Sequence, residues 1–399
     1  MSQIQFMTEA QALLPQLSAL RRAIHREPEL GLFTPKTMAK VREALADLPL
    51  EWRQGSSTSG QVAILRGHRP GRRVLLRGDM DALPLQEETG LAFASQTAGA
   101  MHACGHDSHA AMLAGAARLL CAGRDTLCGE VLFMFQPGEE GYHGARFMLE
   151  DGLLDPLPDA AFALHMMPNA PHGRFSGRAG PLLASSDKLT ILVHGAGGHA
   201  SMPHHAVDPV PIACEIVCAL QAMVTRQFPV FDPVVVTIAE IKCGNNDNVI
   251  APMARLHGTI RTLSAENRRI IVERITTLAS HIACAHRASA EISIEAGFPV
   301  TLCDAEAVGT GKAAVTSLFG DDAWHPMDAP VMGAEDFSYV LQKVPGAMFF
   351  LGAAEAGTDW RSCCGLHSNH MVLDENVMPM GAAWLAEVAH RFLERGFAT

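Results

Sequence analysis

The residues best suited to chemistry gather in five short stretches. The first is Met101-His102-Ala103-Cys104-Gly105-His106-Asp107-Ser108-His109. A thiolate and an imidazole two residues apart in a turn can both face one metal ion, and the adjacent Asp107 carboxylate is placed to orient the imidazole from behind. Taken alone, the same stretch also reads as a polar helix start capped by Asp107 or Ser108. The second stretch, Gln136-Pro137-Gly138-Glu139-Glu140-Gly141, directly follows the apolar run 131–135. Paired acids at the carboxyl end of a core strand sit where open α/β sheets place their ligands. Adjacent side chains there diverge, one toward a metal and the other toward substrate.

His165 ends the apolar run 160–164. A lone histidine there is usually structural, but beside a Cys/His/Glu set it becomes a candidate ligand. In Leu366-His367-Ser368-Asn369-His370, two histidines compete for one role. Finally, Arg77-Gly78-Asp79-Met80-Asp81-Ala82-Leu83-Pro84 follows the run 74–76 with acids on alternate positions. One of them, taken here as Asp81, accepts a hydrogen bond from a metal-bound histidine; the bland alternative is an acidic turn. All five stretches follow short apolar runs or lie in glycine-rich loops, where a single site is assembled. Their joint occurrence points to metal-dependent chemistry.

The elements that position them alternate in type. Residues 8–27 have helical periodicity, with Leu13, Leu17, Leu20 and Ile24 on one side, and 37–48 form a second helix. The runs 62–65, 74–76 and 131–135 read as buried strands, with an Ala-rich helix at 108–121 between them. This alternation predicts an α/β core with a largely parallel sheet. From Asp187 the order becomes strand 188–194, helix 209–226, strands 234–241 and 254–262, helix 266–286 and strand 291–295. That β-α-β-β-α-β order is the signature of a ferredoxin-like sandwich. The core pattern then returns, with a strand at 347–351 and a closing helix at 376–394. We therefore expect a discontinuous catalytic domain, 1–184 plus 297–399, and an inserted domain, 185–296.

A length of 399 residues exceeds the usual single core, in keeping with two domains. The net charge of −11, from 42 acidic against 31 basic residues, and the expectation of no Lys/Arg block that could track phosphates argue against a nucleic-acid partner. Residues 1–20 lack the pattern of a signal peptide, and no apolar run approaches the roughly 20 residues that span a bilayer. A cytoplasmic protein without membrane partners is expected. Its ten cysteines are then reduced and mostly packed as small hydrophobes, with Cys104 the exception.

Nearly end to end, the chain resembles the metallopeptidase-related amidohydrolases that include hippurate hydrolase, N-acyl-amino-acid deacylases and plant auxin-conjugate hydrolases. The resemblance runs through Asp79-Met80-Asp81-Ala82-Leu83-Pro84, His102-Ala103-Cys104-Gly105-His106-Asp107 and Gln136-Pro137-Gly138-Glu139-Glu140-Gly141. It continues in Gly197-Gly198-His199-Ala200-Ser201-Met202-Pro203-His204 and Met332-Gly333-Ala334-Glu335-Asp336-Phe337. It implies cleavage of an N-acyl amino acid to a carboxylic acid and an amino acid. It also implies a zinc-peptidase-like catalytic α/β domain with two adjacent divalent metals, and a smaller inserted ferredoxin-like domain that pairs subunits into homodimers and serves as a lid. By position, Cys104, His106, Glu140, His165 and His367 are then metal ligands and Glu139 the general base. His367 follows Leu366 as the family's terminal ligand does, which favours it over His370.

The same resemblance has His199 reach across the dimer to the oxyanion of the neighbouring active site. Asn248 and Arg261 fit the substrate's α-carboxylate, which a guanidinium fork matches bidentately. A thiolate ligand tilts the metal toward Zn2+, with Mn2+, Co2+ or Ni2+ as alternatives. A cleft between the two domains predicts closure, with hinges near 184 and 297. The chain departs from many relatives at Ser368-Asn369-His370-Met371, where they carry a proline, and at Tyr142-His143, which replaces a glycine-rich stretch. The rival readings are a dipeptidase or exopeptidase of the same architecture, a non-catalytic metal-dependent binding protein, and a cysteine hydrolase using Cys104. At 6% aromatic residues, no stacking wall biases the choice of acyl group.

Overall fold

A computed structural model of the chain describes residues 3–397. It forms two compact units. The first runs to Leu182 and resumes in Leu302–Ala329 and from Asp336 onward; the second comprises Leu183–Thr301 and Pro330–Glu335.

The first unit opens with α1 (Gln3–Ala12), α2 (Leu14–Arg26) and α3 (Pro35–Ala44). The single helix expected over 8–27 is broken at Leu13 because Pro15, in the first turn of α2, has no N–H for a continuing ladder. Then come β1 (Glu51–Gln54), β2 (Gln61–Arg66), β3 (Arg69–Asp79), α4 (His106–Ala122), β4 (Cys128–Gln136), α5 (Gly144–Glu150), β5 (Ala160–Met167), β6 (Phe175–Gly177) and β7 (Gly180–Leu183).

The second unit contributes β8 (Asp187–His194), β9 (Gly198–His199), α6 (Pro209–Gln227), β10 (Val234–Cys243), β11 (Val249–Ile250), β12 (Met253–Thr262), α7 (Ala265–Ala285) and β13 (Ser289–Ala296). After β14 (Thr301–Cys303), the first unit closes with α8 (Ala305–Phe319), β15 (Trp324–Pro326), α9 (Ser338–Leu341), β16 (Gly346–Gly352) and α10 (Met378–Arg395).

The first unit's sheet has the order β1-β2-β4-β3-β5-β16-β6-β15. Its centre, β4-β3-β5-β16, is parallel throughout. These strands are buried almost without alternation, as expected of a sheet covered on both faces. α4 packs against α2 and α10, and its alanines let it lie deep in the core. Parallel strands bring their carboxyl ends to one side, and Asp79, Gln136 and His165 lie at or near those ends.

The second unit has an antiparallel sheet of order β10-β12-β8-β13. On β8, Leu189, Ile191 and Val193 point into a core shared with α6 and α7, while the intervening residues are more exposed. Asp208 caps α6 and Ser264 caps α7, each accepting a backbone N–H of the first turn. Among the described residues, α6 is the one helix long and apolar enough to cross a membrane by length and composition, although Glu215, Gln221 and Arg226 interrupt its apolar run. Its face of Ile212, Ala213, Ile216, Leu220 and Met223 packs in this unit's core.

Candidate active site

Cys104 and His106 flank Gly105, whose φ of 84° is the left-handed conformation that glycine adopts without a Cβ clash. This sharp turn starts α4 and directs both side chains inward; Cys104 is 7% and His106 1% exposed. His106 Nδ1 donates to the Asp81 carbonyl at 2.8 Å, leaving its Nε2 lone pair for the site. That atom is buried without a hydrogen-bond partner. On β5, His165 Nδ1 donates to the Met166 carbonyl at 2.8 Å, and its Nε2 faces Cys104 Sγ at 3.4 Å. Two histidines thus present the same ring nitrogen to one thiol.

The acid pair follows β4 in a turn opened by Gly138, φ 73°. The Asp81 carboxylate accepts the backbone N–H of Glu139 at 2.9 Å and of Glu140 at 3.0 Å. Asp81 therefore supports the acid turn through its carboxylate and His106 through its carbonyl, its Oδ1 lying 3.6 Å from His106 Nδ1. Glu140 Oε1 stands 3.3 Å from His367 Nε2 and 4.0 Å from His106 Nε2. His367 has φ 63°, unusual for a residue with a side chain, and its N–H donates to the Ala103 carbonyl at 2.8 Å. That bond ties the distant loop to the Cys104 turn.

Ligand atoms of Cys104, His106 and His165 lie within 4.8 Å of one another, as do those of Cys104, Glu140 and His367, and those of His106, Glu139 and Glu140. Cys104 belongs to the first two sets, so one sulfur joins two half-sites. The donor types and the orphaned His106 Nε2 fit a pair of divalent cations, with Cys104 between His106–His165 and Glu140–His367.

Around this cluster lies a buried polar layer. Asp79 Oδ1 accepts from His109 Nδ1 at 2.6 Å, while His109 Nε2 accepts the Met166 N–H at 2.8 Å, which fixes the His109 tautomer. Asp79 Oδ2 lies 3.5 Å from His106 Nε2 and 2.5 Å from Arg77 Nη1. Arg77 also donates to Gln136 at 2.8 Å and Asp336 at 3.1 Å, and Asp336 accepts the Ala145 N–H at 2.9 Å. His109 lies three residues after His106 on one helix face, a signal available in the sequence; the Arg77–Asp336 link joins residues too distant along the chain to be read there.

Asp107 does not orient His106. Its Oδ2 accepts from Arg21 Nε at 3.0 Å and His25 Nδ1 at 2.8 Å, both on α2, because consecutive helix residues point in different directions. His370 faces Glu88, with Nδ1 2.9 Å from the Glu88 carbonyl, and stays outside the cluster. In the second unit, β9 pairs with β11 and brings His199 opposite Val249, next to Asn248. The exposed His199 Nδ1 accepts from Ser201 Oγ at 2.8 Å. Arg261 lies half-buried on β12 opposite Val235.

Burial and charged neighbours compete in the electrostatics. Burial pushes the Cys104 thiol up against the opposing pull of His106. For His106, burial disfavours charge, but Asp79 and Cys104 outweigh it and hold the ring well above the usual histidine range. Burial and the neighbouring His109 hold His165 well below that range. Hydrogen bonding to Cys104, then to Glu140, pushes His367 up to about 10. A bound cation favours thiolate and neutral imidazole, and so opposes the directions at Cys104, His106 and His367.

A buried acid beside a Cys/His/Glu cluster at the carboxyl ends of a parallel sheet defines a metallopeptidase-like hydrolase. The family model for Peptidase family M20/M25/M40 matches residues 75–391, and the chain belongs to that family. Thermostable carboxypeptidase 1 of Saccharolobus solfataricus is 38% identical over 94% of each chain. N-acetylcysteine deacetylase of Bacillus subtilis is 36% identical, covering 95% of this chain and 97% of its own. The solved Bacillus subtilis YXEP protein, a dinuclear metal binding peptidase from the M20 family, has a TM-score of 0.84 at 32% identity, with 96% of this chain and 99% of that one covered.

Proposed function

We propose that this amidohydrolase cleaves the amide bond of N-acyl amino acids, releasing a carboxylic acid and a free amino acid. The observation that carries the reading is the placement of Glu139, 7% exposed, with a carboxylate oxygen within 4.8 Å of ligand atoms of His106 and Glu140. The deacetylase relative, whose length the chain nearly covers, supports the substrate class.

Cys104, His106, Glu140, His165 and His367 are the proposed holders of two divalent cations, with Zn2+ favoured by the thiolate and Mn2+, Co2+ or Ni2+ as alternatives. When bound, such ions polarise the amide carbonyl and acidify the attacking water. Glu139 accepts the water proton and delivers it to the leaving nitrogen. Asp81 and the glycine turn hold Glu139 in place during the transfer. Asn248 and Arg261 are proposed to receive the α-carboxylate, and His199 the oxyanion of a partner subunit. We likewise propose that residues 185–296 form an inserted ferredoxin-like domain that pairs subunits and closes on substrate, and that the enzyme works in the cytoplasm.

The carboxypeptidase relative favours a second reading, an exopeptidase that accepts a peptide in place of an acyl group. Assays on hippurate, N-acetylcysteine and matched dipeptides separate the two. Turnover of the acylated substrates at least about 10-fold above the dipeptides is expected; the reverse preference overturns the deacylase reading.

A further inference from the structure

At the amino-terminal ends of β3 and β4, remote from Asp79 and Gln136, a cavity of about 500 Å3 is lined by Arg53, Arg66, His68, Arg69, Arg73 and Glu130. Its arginines come from β1 and from the run Arg66-Gly67-His68-Arg69-Pro70-Gly71-Arg72-Arg73, which joins β2 to the start of β3. That run packs four arginines into eight residues, a basic stretch that corrects the expectation of no Lys/Arg block and that a net charge of −11 conceals. Arg72 turns away to the Leu393 carbonyl, 3.2 Å from its Nη1.

Acidic partners account for only two of the remaining four, Arg66 and Arg73. Arg66 pairs with Glu51 at 2.8 Å and with Glu130, and Arg73 Nε lies 2.9 Å from Glu130. Arg53 donates to the carbonyls of Leu153 and Asp155, and Arg73 Nη1 to that of Pro156. Among the described residues, the Arg69 guanidinium has no ion-pair partner, and Arg73 Nη2 is buried without a hydrogen-bond partner. Four guanidinium groups line one cavity, with Glu51 and Glu130 the only carboxylates paired to their side chains among the described residues.

We infer that this cavity binds a phosphate-bearing small molecule carrying at least two negative charges. Guanidinium forks match phosphate oxygens bidentately, and a compact polyanion offers acceptors to several forks at once, whereas a monocarboxylate fills only one. The volume suits a small molecule, and the eight-residue run is too short to follow a nucleic-acid backbone. The site shares no residue with the hydrolytic cluster, so the inference does not rest on the deacylase reading.

The test is calorimetric titration of the metal-loaded enzyme with inorganic pyrophosphate at constant ionic strength, beside the double variant R69Q/R73Q. Saturable binding that weakens at least about 10-fold in the variant, with hydrolysis of acylated substrate intact in both, is the expected result. Two outcomes overturn the proposal. Absence of saturable binding shows that the cavity holds no such polyanion, and binding of equal strength in the variant shows pyrophosphate elsewhere on the protein, as at the proposed metal site. If thermal melting shows that the double variant does not fold, R53Q carries the same comparison.

Discussion

His165 Nε2 and Cys104 Sγ stand 3.4 Å apart, and the His165 ring is turned to that position by its Nδ1 bond to the Met166 carbonyl. Because Cys104 also belongs to the set with Glu140 and His367, the sulfur is the hub of the cluster. Serine offers a poorer ligand for soft or borderline cations. In Cys104→Ser, metal content per subunit and kcat/KM should both fall, the latter by more than about 100-fold, beyond the loss typical of outer partners. Elemental analysis beside steady-state kinetics reads both. Retention of full metal and activity by the serine variant would remove Cys104 from the centre.

Asp81 makes a different demand, because both of its carboxylate oxygens accept backbone N–H groups of the acid turn. An asparagine keeps one acceptor and turns an NH2 group toward the other amide. Asp81→Asn should lose about 1–3 kcal/mol of stability and about 10–100-fold in activity, read by thermal melting and kcat/KM. Wild-type kinetics in this variant would show that the turn needs no such anchor.

Glu139→Gln preserves shape and removes the proton acceptor. We expect kcat to fall by about 10²–10⁴ while KM and metal content stay near wild type. A variant within a few-fold of wild-type kcat would exclude Glu139 as the base.

The His25 cluster gives a pH signature in stability. Burial disfavours charge on His25, but Asp107 and Glu87 outweigh it and raise the ring to about 9. Its Nδ1 lies 2.8 Å from Asp107 and its Nε2 3.2 Å from Glu87. The folded protein therefore holds a proton that the unfolded chain releases above about pH 6.5. This contribution is complete below about pH 6.5, declines as the pH rises toward 9 and is lost above it. Thermal melts from pH 6 to 10 should show a decline over that window that flattens in His25→Gln. A variant with the wild-type profile would contradict it.

The buried parallel strands were legible because their apolar runs lack the alternation of a half-exposed sheet. The split of the first helix was also legible in Pro15, but the Leu13–Ile24 periodicity runs across it. The neighbourhood of Cys104, His106, Glu140, His165 and His367 was visible only as a joint occurrence of short motifs. Sequence proximity misled at Asp107: its orientation is set by Arg21 and His25, 86 and 82 residues away. In the sequence, His367 is preferred to His370 only through its resemblance-based place after Leu366; the left-handed backbone at His367 and its bond to Ala103, which hold it 3.3 Å from Glu140, are not revealed by residue type. The basic run 66–73 was present in the sequence, but only the folded sheet gathers it with Arg53 and Glu130 around a cavity.

Metal removal tests the central claim most directly. The enzyme is dialysed against a chelator, metal loss is verified, and release of glycine from hippurate or cysteine from N-acetylcysteine is followed before and after return of Zn2+, Mn2+ or Co2+. Activity should fall to background and recover with about two equivalents of cation per subunit. Undiminished hydrolysis by the verified metal-free enzyme would contradict the account.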